Sequence, residues 1–357
     1  MLESAPQTLM QGCDLPQAWR DRPTWFILDT DFNLGLRFLR TWNTWLCDAK
    51  RPALLHYVAL CEQAPPVDAL LQASATDPEL QTVAQALAAE CFNLSAGFHR
   101  VSLSEGRVLL TLCVGNTQAM LREQQFTADT VFFDTPEIEA PSSRWTVKAL
   151  ARCCRRGTRL VTCQKKNPML PATWLTQYGF KTTSNGSSNQ WSYDPSWELK
   201  TTRSPYLARA AQPTPPSDCV VIGAGLAGAS VAAALARRGW QVQVLDAAAA
   251  PAAGASGLPV GLMVPHVSAD DSPRSQLSRS GIRLTVQQAK ILLRTDHDWA
   301  MSGVLEHREI GISTLWHPFA GWIKPAKLVQ AWLTQRGIDF TPNAAVEALQ
   351  REGDNWV

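Results

Sequence analysis

Residues 218–246, DCVVIGAGLAGASVAAALARRGWQVQVLD, constrain the fold more than any other stretch of the chain. The apolar run Cys219 to Ile222 reads as a buried parallel strand, and Gly223, Gly225 and Gly228 form a GxGxxG turn into a helix. The first glycine permits a tight turn, the second lets backbone approach a pyrophosphate, and the third lets helix and strand lie close together. The helix N-terminus offers free N–H groups and a positive dipole end to phosphates. Ala229 to Arg238 is rich in alanine, a strong helix former, and Gly239 stands where the helix should end. A second strand, Gln241 to Leu245, delivers Asp246, a carboxylate placed to accept hydrogen bonds from an adenosine ribose. Alanines follow Asp246 where an arginine would accept a 2′-phosphate, so a 2′-phosphate would be repelled. A lone glycine turn is a weak sign, but one set in a complete strand, helix, strand and acid is specific.

At 357 residues the chain is long enough for two domains. A hydrophobic fraction of 45% allows real cores, yet no run of about 18 uninterrupted apolar residues suggests a membrane span. The start, MLESAPQTLM, lacks the basic and apolar regions of a signal peptide, and a cytoplasmic location is expected. The nine cysteines form no CxxC pair and suit a reducing compartment; adjacent Cys153 and Cys154 read as core or surface thiols. The six histidines form neither HxxxH nor HExxH, so no metal site is expected.

A net charge of +2 hides a segregation. Residues 1–143 hold nine Lys/Arg and 17 Asp/Glu, residues 144–203 hold 11 and two, and residues 218–357 hold 12 of each. The basic stretch carries Trp145, Trp174, Tyr178, Phe180, Trp191, Tyr193 and Trp197 among its charges. Two readings are open. Basic side chains with aromatic faces suit RNA, whose phosphates need neutralising and whose splayed bases stack. The same pattern also describes a solvated helix face over aromatic core residues.

Along the chain, residues 1–23 look like an irregular lead-in. Strand candidates at Trp25 to Asp29, Leu54 to Leu60, Val108 to Val114, Val131 to Phe133 and Thr158 to Thr162 alternate with helical patterns. The helical patterns begin at Leu36 and cover Pro78 to Cys91, Trp145 to Cys154 and Pro171 to Tyr178. Alternation of this kind implies α/β architecture with a doubly wound parallel sheet, whose ligands sit at the carboxyl ends of the strands. Asp29 to Gly35, Glu62, Asn116 and Asp134 are thereby expected around one crevice. Residues 201–217, TTRSPYLARAAQPTPPS, read as a Pro-rich linker between a domain at 1–200 and one at 218–357.

These positions resemble the methyltransferase half of the MnmC family, bifunctional proteins that modify the tRNA wobble uridine. The family's GFGTGLNFL turn, which cradles S-adenosylmethionine, is matched by DFNLGLRFL at residues 31–39, with Gly35, Leu36, Phe38 and Leu39 retained. Its EGRVxLxLxxGD is matched from Glu105 to Gly115, with Asn116 in place of the acid. Its DGFAPxxNPxMW is matched by DTPEIEAPSSRW, which keeps Asp134 and Trp145. Glu62 matches the family's ribose-binding glutamate if one residue is inserted before it. The resemblance implies S-adenosylmethionine at Gly35, Glu62 and Asn116, and Asp134 to bind or deprotonate the amine that is methylated. Asp31 and Asn33 replace glycines where a loop must pass close to the cofactor. Two expectations follow: a methyltransferase fold with impaired cofactor binding, or a structural or RNA-docking domain.

After Asp246, the turn Gly254, Ala255, Ser256, Gly257 resembles the segment that lies along the flavin phosphates in amine-oxidizing flavoproteins and in the oxidase half of the MnmC family. Gly261 to Pro265, then Ser268, Asp270 and Asp271, then Arg274, Leu277 and Gly281 continue the match, and Gly321 to Pro325 resembles its GGWxxPxxL segment. A Rossmann-like methyltransferase fold is thus expected ahead of an FAD-binding Rossmann domain. The family's chemistry is FAD-dependent removal of the carboxymethyl group from a 5-carboxymethylaminomethyl uridine, followed by methylation from S-adenosylmethionine. In this class a substrate sheet and a later return to the dinucleotide sheet follow, so the resemblance also predicts that the chain, ending at Val357, is a fragment with an incomplete oxidase. His266 is a lone histidine in an apolar stretch, read as structural. An amine oxidase with an unrelated N-terminal domain, or a non-catalytic tRNA-binding protein, are the other readings.

Overall fold

The computed structural model describes residues 6–92, 94–134, 142–163, 171–183, 189–198, 215–308, 313–353 and 355–356. The chain divides into two compact units, Met1–Thr214 and Pro215–Val357. Most of the expected linker, residues 201–214, and residues 135–141 of the DTPEIEAPSSRW match lie outside the described residues.

The first unit is built on strands β1 (Thr24–Asp29), β2 (Leu54–Cys61), β3 (Gly97–Leu103), β4 (Val108–Val114), β5 (Ala128–Asp134), β6 (Cys154–Cys163), β7 (Phe180–Thr182) and β8 (Gln190–Tyr193). They form one sheet in the order β3-β4-β2-β1-β5-β6-β8-β7. The β4-β2-β1-β5-β6 centre is parallel, and the β3, β7 and β8 pairings are antiparallel. Side chains alternate between two cores because successive residues of a strand face opposite sides. Ile27, Tyr57, Leu110 and Phe132 join one cluster, whereas Leu28, Val58, Val131 and Phe133 join the other. Helices α2 (Leu36–Cys47), α3 (Val67–Ser74) and α4 (Pro78–Ala88) send Phe38, Leu70 and Leu80 into the first cluster. Helices α5 (Thr117–Arg122), α6 (Ser142–Arg152) and α7 (Ala172–Gln177) send Leu121, Val147 and Leu175 into the second. Both faces are therefore covered, as a parallel sheet requires.

Several expectations need correction. The lead-in is not irregular: α1 (Pro6–Gly12) and a 3-10 turn at Gln17–Trp19 place Leu9, Met10, Leu15 and Trp19 in the first core cluster. Trp19 is fully buried and its indole N–H donates to Asp48 at 3.0 Å. The helix read as Trp145 to Cys154 stops at Arg152, and Cys154 opens β6; both adjacent cysteines are buried.

In the second unit, β9 (Asp218–Ile222), α8 (Leu226–Ala236) and β10 (Gln241–Leu245) form the strand, helix, strand unit, and β16 (Ile338–Thr341) extends the parallel sheet as β16-β10-β9. Between them run β11 (Gly261–Met263), α9 (Pro273–Leu292), β12 (Trp299–Ala300), β13 (Val304–Arg308), β14 (Ser313–His317), β15 (Gly321–Ile323) and α10 (Pro325–Leu333). The helix starts directly after Gly225, within the GxGxxG turn that was expected to lead into it. β9 is not the fully buried strand its apolar run suggested. It lies at the sheet edge, with Val220 56% and Ile222 51% exposed. Residues 344–349 form no strand, and a short hairpin of β17 (Arg351–Glu352) and β18 (Asn355–Trp356) follows. No described helix is long and apolar enough to cross a membrane.

Candidate functional site

At the end of β9, Gly223 takes φ +96°, a left-handed conformation that L side chains avoid, and open space lies beside it. Gly225 occupies the N-cap of α8. A Cβ on Gly228 would stand 1.8 Å from the Gly223 carbonyl oxygen, so only glycine lets the helix cross the strand here. The Gly254 to Gly257 turn, far along the chain, is brought onto this loop: Ser256 Oγ accepts the Leu226 N–H at 3.0 Å. Its own proton remains to be donated. Gly254 also faces open space. Asp246, just beyond β10, accepts N–H bonds from Ala224 at 2.6 Å and Ala248 at 2.8 Å. Those two bonds hold its carboxyl below the usual carboxylate range. A carboxylate has roughly four acceptor sites, so capacity remains for ribose hydroxyls.

The glycines, the helix terminus, Ser256 and Asp246 therefore converge from three segments into a cradle whose residues fit an ADP-containing dinucleotide such as FAD. Ser256's placement against the helix terminus was missed as a specific contact; only the GASG resemblance pointed to it. His266 lies in no strand. Its ring Nδ1 is 3.0 Å from Ser275 Oγ and its backbone N–H donates to Ser278 Oγ at 2.9 Å, which ties the loop to the start of α9.

In the first unit the sheet order reverses at β1, which pairs with β2 on one side and β5 on the other. Asp29 ends β1 and Asp134 ends β5, so both stand at the switch point where such sheets bind ligands. Arg37, in the first turn of α2, joins them. Its Nε donates to Asp29 Oδ2 at 3.1 Å and its Nη2 to Asp29 Oδ1 at 2.8 Å. The same Nη2 is 2.6 Å from Asp134 Oδ2 and also donates to the Asp31 carbonyl. Tyr57 donates its hydroxyl to Asp29 at 2.7 Å. Burial pushes the Asp29 carboxyl up, opposed by Arg37, Tyr57 and the Asp31 N–H.

The other positions expected to hold S-adenosylmethionine are occupied differently. Gly35 is left-handed at φ +74°, but a Cβ there would meet the Phe32 ring at 2.8 Å, so this glycine accommodates a buried aromatic. Asn33 adopts φ +48° and donates its N–H to Asp31 Oδ1 at 3.2 Å, closing a local turn. Asn116 caps α5 by accepting the Ala119 N–H at 3.0 Å. Glu62 follows β2 with an exposed side chain. The acids expected around one crevice are thus brought to one sheet end, with Asp29 and Asp134 joined by a cation. These residues do not fit S-adenosylmethionine: an amine or sulfonium would have to displace Arg37 from both carboxylates. Sequence reasoning missed Arg37, although its signal was visible as an arginine where the GFGTGLNFL turn has asparagine.

The second unit carries the dinucleotide cradle of an FAD-dependent oxidoreductase, and the family model described as FAD dependent oxidoreductase matches residues 218–313. The chain is 50% identical over 379 residues to the tRNA 5-methylaminomethyl-2-thiouridine biosynthesis bifunctional protein MnmC of Albidiferax ferrireducens, with 100% of this chain and 61% of the relative covered. The MnmC protein of Polaromonas naphthalenivorans is 44% identical, covering 99% of this chain and 62% of the relative. That of Thiobacillus denitrificans is 30% identical, at 99% and 62%. The chain is similar to MnmC proteins along its whole length and spans about three fifths of the length of these curated relatives. Because the similarity includes the first unit, an oxidase with an unrelated N-terminal domain is excluded.

Proposed function

We propose that this chain serves wobble-uridine modification of tRNA as the FAD-binding part of an oxidoreductase that removes the carboxymethyl group from 5-carboxymethylaminomethyl uridine or its 2-thio form. The observation that carries the reading is the convergence of Gly223, Gly225, Ser256 and Asp246 in a chain whose whole length is similar to MnmC proteins. Flavin, when bound, supplies the two-electron oxidation of the side chain's C–N bond. Gly223 and Gly254, with open space beside them, would leave room for the pyrophosphate, Gly225 leaves room for the Ser256 hydroxyl, and that hydroxyl and the α8 terminus would hold the phosphates. Asp246 would hold the ribose. Gly228 keeps the helix close enough for its dipole to act.

A tRNA partner is supported by the α6 surface of the first unit. Arg144, Trp145, Lys148 and Arg152 are exposed there, and Lys148 Nζ lies 4.7 Å from the Trp145 ring centroid. An exposed tryptophan among cations can stack a base while the charges meet phosphates. A tRNA substrate places the activity in the cytoplasm. The test is a titration of the purified chain with FAD, repeated on Gly225→Glu. Saturable binding that is lost in the variant is expected. A chain that binds neither FAD nor ADP overturns the reading.

A further inference from the structure

Two carboxylates converge at the switch point of the first unit, and both are nearly inaccessible: the side chains of Asp29, Asp134 and Arg37 are 1%, 10% and 11% exposed. Buried carboxylates without a cation shift toward the neutral form. Arg37 opposes that tendency through a two-point fork on Asp29 and a close contact with Asp134, an arrangement that suits a planar guanidinium better than a lysine ammonium. The fork is carried by the first turn of α2, which Phe38 anchors in the core with no exposed surface. Phe38 stacks at 5.8 Å on Trp42 and meets Tyr57 edge-on at 5.0 Å, and Tyr57 in turn donates to Asp29. The guanidinium is therefore positioned by the hydrophobic core itself.

We propose that Arg37 is a built-in cation that closes the methyl-donor crevice, so that the first unit holds its fold at this site with an internal ion triad and takes up no S-adenosylmethionine. The donor bears positive charge at its sulfonium and its ammonium, and both carboxylates it would meet already engage the guanidinium of a side chain tethered to the same unit. A tethered competitor acts at a high effective concentration, so a free cation is excluded over the ordinary cellular range. The proposal is independent of the FAD reading, because its ligand and its unit are different.

The test combines calorimetry with thermal melting. Wild-type chain titrated with S-adenosylmethionine is expected to give no saturable heat up to about 1 mM, whereas micromolar binding corresponds to about 8 kcal/mol and overturns the proposal. Arg37→Asn leaves the two carboxylates without their cation. Ionising them then becomes unfavourable in the folded state, so the gap in melting temperature between wild type and variant is expected to widen as the pH rises from about 5 to about 8. A gap that does not change with pH overturns the proposal. Arg37→Lys keeps the charge and loses the fork, and its gap is expected to be smaller and nearly flat across the same range; a gap as steep as that of the asparagine variant overturns it too.

Discussion

At the scale of single residues the dinucleotide cradle makes a sharp distinction between glycines. A Cβ at Gly228 would collide with the Gly223 carbonyl, whereas one at Gly254 meets only open space. Gly228→Ala is expected to destabilise the second unit by about 1–3 kcal/mol in urea melts, as overpacking does, and to abolish FAD retention. Gly254→Ala should leave the melt unchanged while weakening FAD binding, because only the ligand would feel the added methyl. Asp246 gives a pH prediction. Its carboxyl is held below the usual range, so it stays ionised from neutral pH down past about 3.9, the unperturbed aspartate value. FAD affinity is expected to be flat between about pH 8 and about pH 5, and Asp246→Asn to lower it roughly tenfold or more by calorimetry. These residues were legible in the sequence because each acts through its own backbone geometry or sits at a strand end. Arg37 was not, since its role exists only once the ends of β1 and β5 lie side by side.

At the scale of elements, the central strands β1, β2 and β4 were legible because parallel strands buried on both faces are continuous apolar runs. β3, β7 and β8 escaped notice: they are edge-side antiparallel strands whose residues alternate between buried and exposed, or are only three or four long. The first helix was missed for a different reason. It has little pattern of its own and is held by Leu9 and Met10 in the first core cluster, while the 3-10 turn beyond it is tied by Trp19 to Asp48. Asp48 also accepts from Lys50 N–H at 3.0 Å and from Arg20 at 3.3 Å, and although burial pushes its carboxyl up, these bonds outweigh burial and hold it low. Its folded pKa lies below the unfolded one, so its contribution is present above about pH 3.9 and is lost as the pH falls through the folded value. Asp48→Ala should therefore cost the first unit about 1–3 kcal/mol at neutral pH and less in acid, measured by urea melts at both.

At the scale of the whole molecule, the charge segregation along the sequence becomes a surface with specific chemistry only in part. Arg155 and Arg156 are committed to Asp129 and Asp194, and Lys181 shares Asp194, so these three cations of the basic stretch are already paired. The α6 face is where cations and an exposed tryptophan stand together. Lys148→Gln with Arg152→Gln is expected to weaken tRNA binding and lower the slope of log affinity against log salt by roughly 1–2, and Trp145→Ala to cost about 1–3 kcal/mol with the slope kept. A filter-binding series across salt concentrations checks both. By itself the sequence determined the two-unit α/β plan and the FAD cradle, because glycine spacing, alanine-rich helix and terminal acid are local constraints read within one short stretch. Tertiary structure alone decided that β9 is half-open, that Arg155, Arg156 and Lys181 of the basic stretch are already paired with acids, and that Arg37 fills the other crevice. Each of these depends on which distant side chains a strand order brings within Coulomb and hydrogen-bond range, and no local pattern encodes that.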